Sequence, residues 1–188
     1  MKKAIFSLLV ILGFTFNIVL AQAPAGYENG SILLANNSKL DGFVKESLAS
    51  KGSLSFASAT GSKKTYSVSE LNGFSYKADN YIVYSNDFYK TIATGAKVSL
   101  YQKQSNNSGK LLYNGSDAFT ATTTQGNIGD FYIKLNNSDD LLLVNGKNFE
   151  TVISKEFASC NTIIADIKSK QLDFAQLSKV VEKFNNCK

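Results

Sequence analysis

The chain has 188 residues and a formal charge of +5, and all 20 of its basic residues are lysine, with no arginine, histidine or tryptophan. Lysine offers a hydrated point charge where arginine would grip phosphate or a guanine edge with two parallel bonds, and the lysines are scattered, so specific nucleic-acid recognition is not expected. The missing histidine removes Ser-His-Asp and Cys-His nucleophiles, imidazole-bound zinc and the ordinary proton shuttle at neutral pH.

At the N-terminus, Lys2 and Lys3 precede a 17-residue apolar run from Ala4 to Leu20, and small residues follow at Ala21 and Ala23. Charged, then apolar, then small is the order of a secretory signal peptide, so residues 1–21 are expected to be removed. Val19 and Ala21 supply the small residues before the cut, which leaves Gln22 as the new N-terminus; a cut after Ala23 is the alternative. The run contains Asn17 and is short for a spanning helix, and no later segment reaches 18 apolar residues. No transmembrane segment is therefore expected in the mature chain, which is exported and either periplasmic or secreted. Loss of Lys2 and Lys3 leaves 18 lysines against 15 acids, a mild excess of +3.

Residues 22–30 read as an N-terminal extension and 31–188 as a single domain, β-rich over 31–147 and helical over 148–188. In the β-rich part apolar residues alternate, as at Leu54 and Phe56, Tyr66 and Val68, Phe74 and Tyr76, and Val98 and Leu100. Hairpin connections are expected at Asn36-Asn37-Ser38, Thr60-Gly61-Ser62, Asp79-Asn80, Ser105 to Gly109 and Asn136 to Asp140, where Asn, Gly, Ser and Asp cluster. Phe131, Ile133 and Leu135 fall on one side of a strand with Tyr132, Lys134 and Asn136 on the other, which predicts a sheet with one wet face. Pro24 is the only proline, so none interrupts a strand. The fold class is α+β: about nine or ten mainly antiparallel strands in a barrel-like or two-layer meander, then a two- or three-helix unit.

After Asn145-Gly146 the period becomes helical. Asn148 is placed to cap a helix through Phe157, Asn161 a second through Lys170, and Asp173 with Gln176 forms a capping-box pattern opening a third. Cys160, Ile163, Ile164 and Ile167 share one face, while Phe174, Leu177, Val180, Val181, Phe184 and Cys187 repeat at threes and fours along another. Cys160 and Cys187 are the only cysteines, and in an exported chain such a pair predicts a disulfide. Catalytic dithiols sit two residues apart, unlike these. Closing the loop between them contributes roughly 3.5 kcal/mol in the chain-entropy treatment.

Without histidine, catalysis would fall to carboxylates, Lys, Tyr and Ser. Asp139-Asp140 is the only adjacent acidic pair, but neighbours in one turn do not face each other across a sugar, and the ordered spacing of a calcium loop is absent. No metal or cofactor is implied. Glu70, Asp87, Asp130 and Asp140 are the acids to watch for a pair that meets only in the fold. Aromatic residues are expected to fill the sheet core; Tyr76, Tyr81, Tyr84, Tyr89 and Tyr101 are the candidates for a ligand groove, since tyrosine joins an apolar body to a polar tip.

The ending, Asn148-Phe149, Glu156-Phe157-Ala158-Ser159-Cys160, Ile167-Lys168 and Val180-Val181-Glu182-Lys183-Phe184-Asn185-Asn186-Cys187, resembles the C-terminal signature of uncharacterised small exported proteins common in Bacteroidota. Ser69-Glu70-Leu71-Asn72-Gly73-Phe74, Phe88-Tyr89-Lys90 and Gly95-Ala96-Lys97-Val98-Ser99-Leu100-Tyr101 stand where relatives carry similar patterns. Ser159 and Phe184 depart from the Asp and Tyr usual there. The resemblance spans about residues 30 to 188 and implies a β-rich domain with a helical tail carrying a cysteine pair, with no assigned activity. Together these readings predict a non-catalytic exported or cell-envelope binding module whose partner is a protein, glycan or lipid. The alternatives are a hydrolase of envelope polysaccharide using paired carboxylates, and a barrel carrying a lipid or other apolar ligand.

Overall fold

A computed structural model describes residues 22–45 and 52–188, so residues 1–21, expected to be a signal peptide, lie outside the described residues. The chain opens with four antiparallel strands, β1 (Tyr27–Leu34), β2 (Lys39–Lys45), β3 (Ser53–Ser58) and β4 (Lys63–Ser67). A 3-10 turn at Val68–Glu70 then returns it to the far side of β1. There follow β5 (Leu71–Tyr76), β6 (Asp79–Tyr84), β7 (Asp87–Ala93) and β8 (Val98–Lys103). β9 (Leu111–Asn114) and β10 (Asp117–Thr120) form a separate two-stranded ribbon before β11 (Phe131–Leu135) and β12 (Leu142–Val144) rejoin the main sheet. Its ten strands run in the order β12-β11-β8-β7-β6-β5-β1-β2-β3-β4, every pair antiparallel. The architecture is thus α+β, mostly antiparallel sheet with three C-terminal helices, and β12 and β4 stand at the two ends of one open sheet.

Local chemistry explains the turns. Asn36 Oδ1 accepts from Ser38 N while Asn37 takes a left-handed φ of 64°, the Asn-rich reversal expected between β1 and β2. Ser85 and Asn86 both have positive φ, 45° and 61°, the two-residue turn that matches the twist of the β6–β7 pair. The turn expected at Asp79-Asn80 lies earlier, at Lys77-Ala78, because Lys77 adopts φ 55° and Asp79 and Asn80 already pair with Tyr76 and Ser75. Residues 27–30 are strand and not extension, paired with Lys45 to Gly42. On its other side Gly30 stands opposite Tyr76 of β5, and a Cβ there would be 2.2 Å from Ser75 O, so a side chain would push β1 off β5.

Burial divides into three clusters. Ile32, Val44, Leu54, Phe56, Phe74 and Phe88 form the first, closed by Leu112 and Ala121. Val98, Leu100 and Ile133 meet the helical tail in the second. Tyr89, Tyr101, Tyr132 and Leu141 make a third. The side of β11 expected to be wet is therefore dry at Tyr132, which is 1 % exposed, because the sheet is covered on both faces at this strand.

The tail comprises α1 (Phe149–Glu156), α2 (Asn161–Lys168) and α3 (Leu177–Asn185), the last opened by a 3-10 turn at Phe174–Gln176. The Asp173 and Gln176 capping box is formed: Asp173 Oδ1 accepts from Ala175 N, and Gln176 Oε1 from Asp173 N. Asn148 precedes α1, but its side chain serves the sheet, accepting from Asn145 N at 2.7 Å and donating to Leu143 O at 2.9 Å. The cap position of α2 is Cys160, one residue before Asn161. α3 buries Leu177, Val180, Val181 and Phe184, each contributing about 1.5–3 kcal/mol if fully withdrawn from water. Phe184 stacks on Phe157 at 3.9 Å, and Cys160 and Cys187 are joined with Cα atoms 6.0 Å apart.

Candidate functional site

The densest polar chemistry lies where β7 and β8 pair. Asp87 follows the Ser85-Asn86 turn, and its Oδ1 accepts from Ser105 Oγ and Asn107 N, both at 2.9 Å. Ser105 Oγ also accepts from Phe88 N, and Asn107 Nδ2 donates to Asn86 O. Ser105 to Gly109 is therefore no hairpin. It is a connection pinned across the end of β7 that leads out to the ribbon.

Lys103 Nζ stands 3.0 Å from Asp87 Oδ2, and both side chains are 0 % exposed. It also donates to Thr124 O at 2.9 Å, Thr124 Oγ1 at 3.2 Å and Gly126 O at 3.4 Å. Oδ2 is left with the opposing charge and no directed donor. Tyr89 OH bonds Thr124 Oγ1, and Tyr132 OH donates to Gln125 O. Burial holds both phenols above their ordinary pKa, so each stays protonated. Apart from the Asp87 and Lys103 pair, every bond in this knot involves a residue of the segment 104–107 or 124–126, through the backbone of Asn107, Thr124, Gln125 or Gly126 or through the side chain of Ser105, Asn107 or Thr124. Its chemistry is that of a clamp on the two connections to the β9–β10 ribbon.

The ribbon itself is two-sided. Leu112 is buried in the first cluster and Phe119 packs against it, while Ser69 Oγ donates to Tyr113 O at 2.8 Å. Leu111 and Tyr113 point the other way and are 58 % and 53 % exposed. They pair with Thr120 and Ala118, also exposed, so one face of the ribbon is an apolar row in water.

Of the tyrosines and acids singled out from sequence, Tyr84, Tyr89, Tyr101 and Asp140 come together and the set as a whole does not. Tyr76 and Tyr81 lie in the first cluster, where Tyr81 stacks on Phe74 at 4.4 Å. Tyr89 and Tyr101 lie in the third, with Tyr84 half-buried at its edge, so the five tyrosines share no groove. Each acid has its own local task. Glu70 accepts from Ser67 N and faces Lys64 at 3.4 Å; Asp87 holds the clamp; Asp130 accepts from Asn127 N; Asp140 accepts from Tyr84 OH. Two acids that do line one cleft were not anticipated: Glu150 and Asp173, with Lys147 and Lys170, rim a space of about 570 Å³ floored by Phe149, Ile167 and Phe174. They are separated in sequence by the rest of α1 and by α2, and Asp173 is committed to its cap. Among the described residues no cluster of three or more Cys, Asp and Glu is placed to hold a metal ion, and no helix is long and apolar enough to cross a membrane. No family model, curated protein or solved structure matches the chain.

Proposed function

We propose that this chain is a non-catalytic exported or cell-envelope module that binds a protein partner through the outward face of the β9–β10 ribbon. The carrying observation is the exposed row of Leu111 and Tyr113 on a ribbon whose other face is buried. Large apolar side chains grouped on one exposed face mark interaction surfaces, and tyrosine is enriched in them. The clamp supports the same reading, because it holds the ribbon's two roots with bonds that a free loop would not need. Export is supported by the leader pattern and by a disulfide suited to an oxidising compartment.

Capture from envelope extract tests this. The wild-type chain should retain a specific protein that a Leu111→Ser, Tyr113→Ser variant loses, with the unfolding midpoint unchanged. Equal capture by both overturns the ribbon as the binding face. Hydrolysis of envelope polysaccharide, abolished by changing Glu70, Asp87, Asp130 or Asp140, would replace the reading with a hydrolase, and a co-purifying lipid would replace it with a carrier.

A further inference from the structure

We propose that the protein partner engages this chain with an extended acidic segment, which pairs with the free edge of β4 as a further strand of the sheet. The inference rests on the ribbon reading and adds to it the partner's conformation and charge.

β4 ends the sheet, so only β3 pairs with it. Antiparallel pairing alternates bonded and unbonded residue pairs, and the flanking bonds from Val68 N to Gly52 O and from Ser58 N to Ser62 O fix which are which. Lys64 and Tyr66, opposite Phe56 and Leu54, turn their backbone groups toward β3, while Lys63, Thr65 and Ser67 turn theirs outward. The outward N–H of Ser67 donates to Glu70 Oε2 at 2.8 Å, so a carboxylate already occupies one end of this row. The outward backbone groups of Lys63 and Thr65 have no partner among the described residues, and both residues are exposed.

The row opens on the ribbon. Thr65, Ser67 and Glu70 form one wall, and Leu111, Leu112 and Tyr113 the other, of a groove of about 390 Å³. A strand laid along β4 alternates its side chains between two faces, so every second one enters this groove beside Leu111 and Tyr113. Main-chain bonds from the edge and apolar contact from the ribbon together make up strand addition, a recurring mode of peptide recognition. Charge selects the occupant. Lys63 and Lys64 are exposed on opposite faces of β4, whereas Glu70 is held by Ser67 N and faces Lys64 at 3.4 Å. Pairing with a second copy sets two lysine-bearing edges against each other, while a strand carrying Asp or Glu is attracted.

The test is fluorescence anisotropy with two labelled peptides, one alternating Glu and Val and the other Lys and Val. The Glu peptide should bind the wild-type chain and the Lys peptide should not. Thr65→Pro removes an outward donor and no bond to β3, so it should weaken the Glu peptide by about tenfold with the unfolding midpoint unchanged. Lys63→Glu with Lys64→Glu should reverse the preference, and this pair decides the matter if proline lowers the midpoint. Equal binding of the two peptides, binding of neither, or undiminished binding by a stably folded Thr65→Pro variant overturns strand addition. So does a wild-type dimer that Thr65→Pro abolishes, which makes a second copy the occupant. The ribbon reading fails separately: an envelope protein retained by Thr65→Pro but lost by Leu111→Ser with Tyr113→Ser keeps the ribbon face and removes the added strand.

Discussion

Asp87 and Lys103 show how a single contact sets distant parts of the chain. Two fully buried charges are costly to desolvate, and removing one partner leaves the other uncompensated, at about 3–5 kcal/mol. Lys103→Met should lower stability by that amount in urea unfolding, whereas adding Asp87→Leu to it should lose less than the sum of the single changes. Additivity would show that the pair is not energetically coupled. Tyr89 and Tyr132 give a pH signature. Burial raises both phenols above their unfolded value of 10.0, so the folded chain keeps protons that the unfolded chain releases above that pH. Their contribution is therefore complete below pH 10 and declines as pH rises beyond it. The check is a comparison: Tyr89→Phe should show a shallower alkaline fall than wild type. None of this pairing is visible in spacing. Asp87 and Lys103 meet because β7 and β8 put Tyr89 opposite Lys103, with an irregularity between Thr91 and Ala93 altering the register further along. A one-residue slip would turn Lys103 to the other face.

The tail meets the sheet through Asn185 as well as through apolar faces. Its Oδ1 accepts from Lys97 N at 2.9 Å and Val98 N at 3.0 Å, and its Nδ2 donates to Val98 O at 2.9 Å, so an α3 side chain stands in for a neighbouring strand. Asn185→Ala should cost about 1–3 kcal/mol, through backbone groups left without partners, and Asn185→Asp less because Oδ1 remains. Gly95 is matched to this clasp: a Cβ there would stand 2.1 Å from the Asn185 side chain, so Gly95→Ala should destabilise in the same direction. Thermal melts of the three variants check the order. The helices themselves were readable, since Ile163, Ile167, Val180, Val181 and Phe184 repeat at threes and fours and are all buried. The strands from Leu54 to Leu100 were readable by alternation. What alternation does not carry is where a strand goes. Leu111 to Asn114 has the composition of a sheet strand yet leaves the sheet, because Asp87 captures the segment before it. Tyr27 to Asn29 resembles a loop yet pairs with Lys45 to Phe43 of β2, extending β1 beyond its register with β5.

Over the whole molecule, the disulfide and the first core have no residue in common. Cys160→Ser with Cys187→Ser should cost roughly 3.5 kcal/mol in urea unfolding if the staple acts by restricting the unfolded chain. Amide exchange should quicken in α2 and α3 before it does at Ile32 and Val44, and uniform acceleration would show that the two halves open together. The staple was legible from two cysteines on apolar helical faces, whereas the ribbon's exposed row was not, since Leu111-Leu112-Tyr113 reads as buried strand until Leu112 alone is seen to face inward. The strand order carries a consequence for biosynthesis. β1 is flanked on both sides, by β2 and by β5, although it precedes both. A ribosome or translocon delivers it with one partner and a bare row of backbone donors and acceptors, which stays open until Leu71–Tyr76 has emerged. A polypeptide stalled before Leu71 presents that row to other nascent copies, so the interval between these two stretches is when the protein is most prone to aggregate.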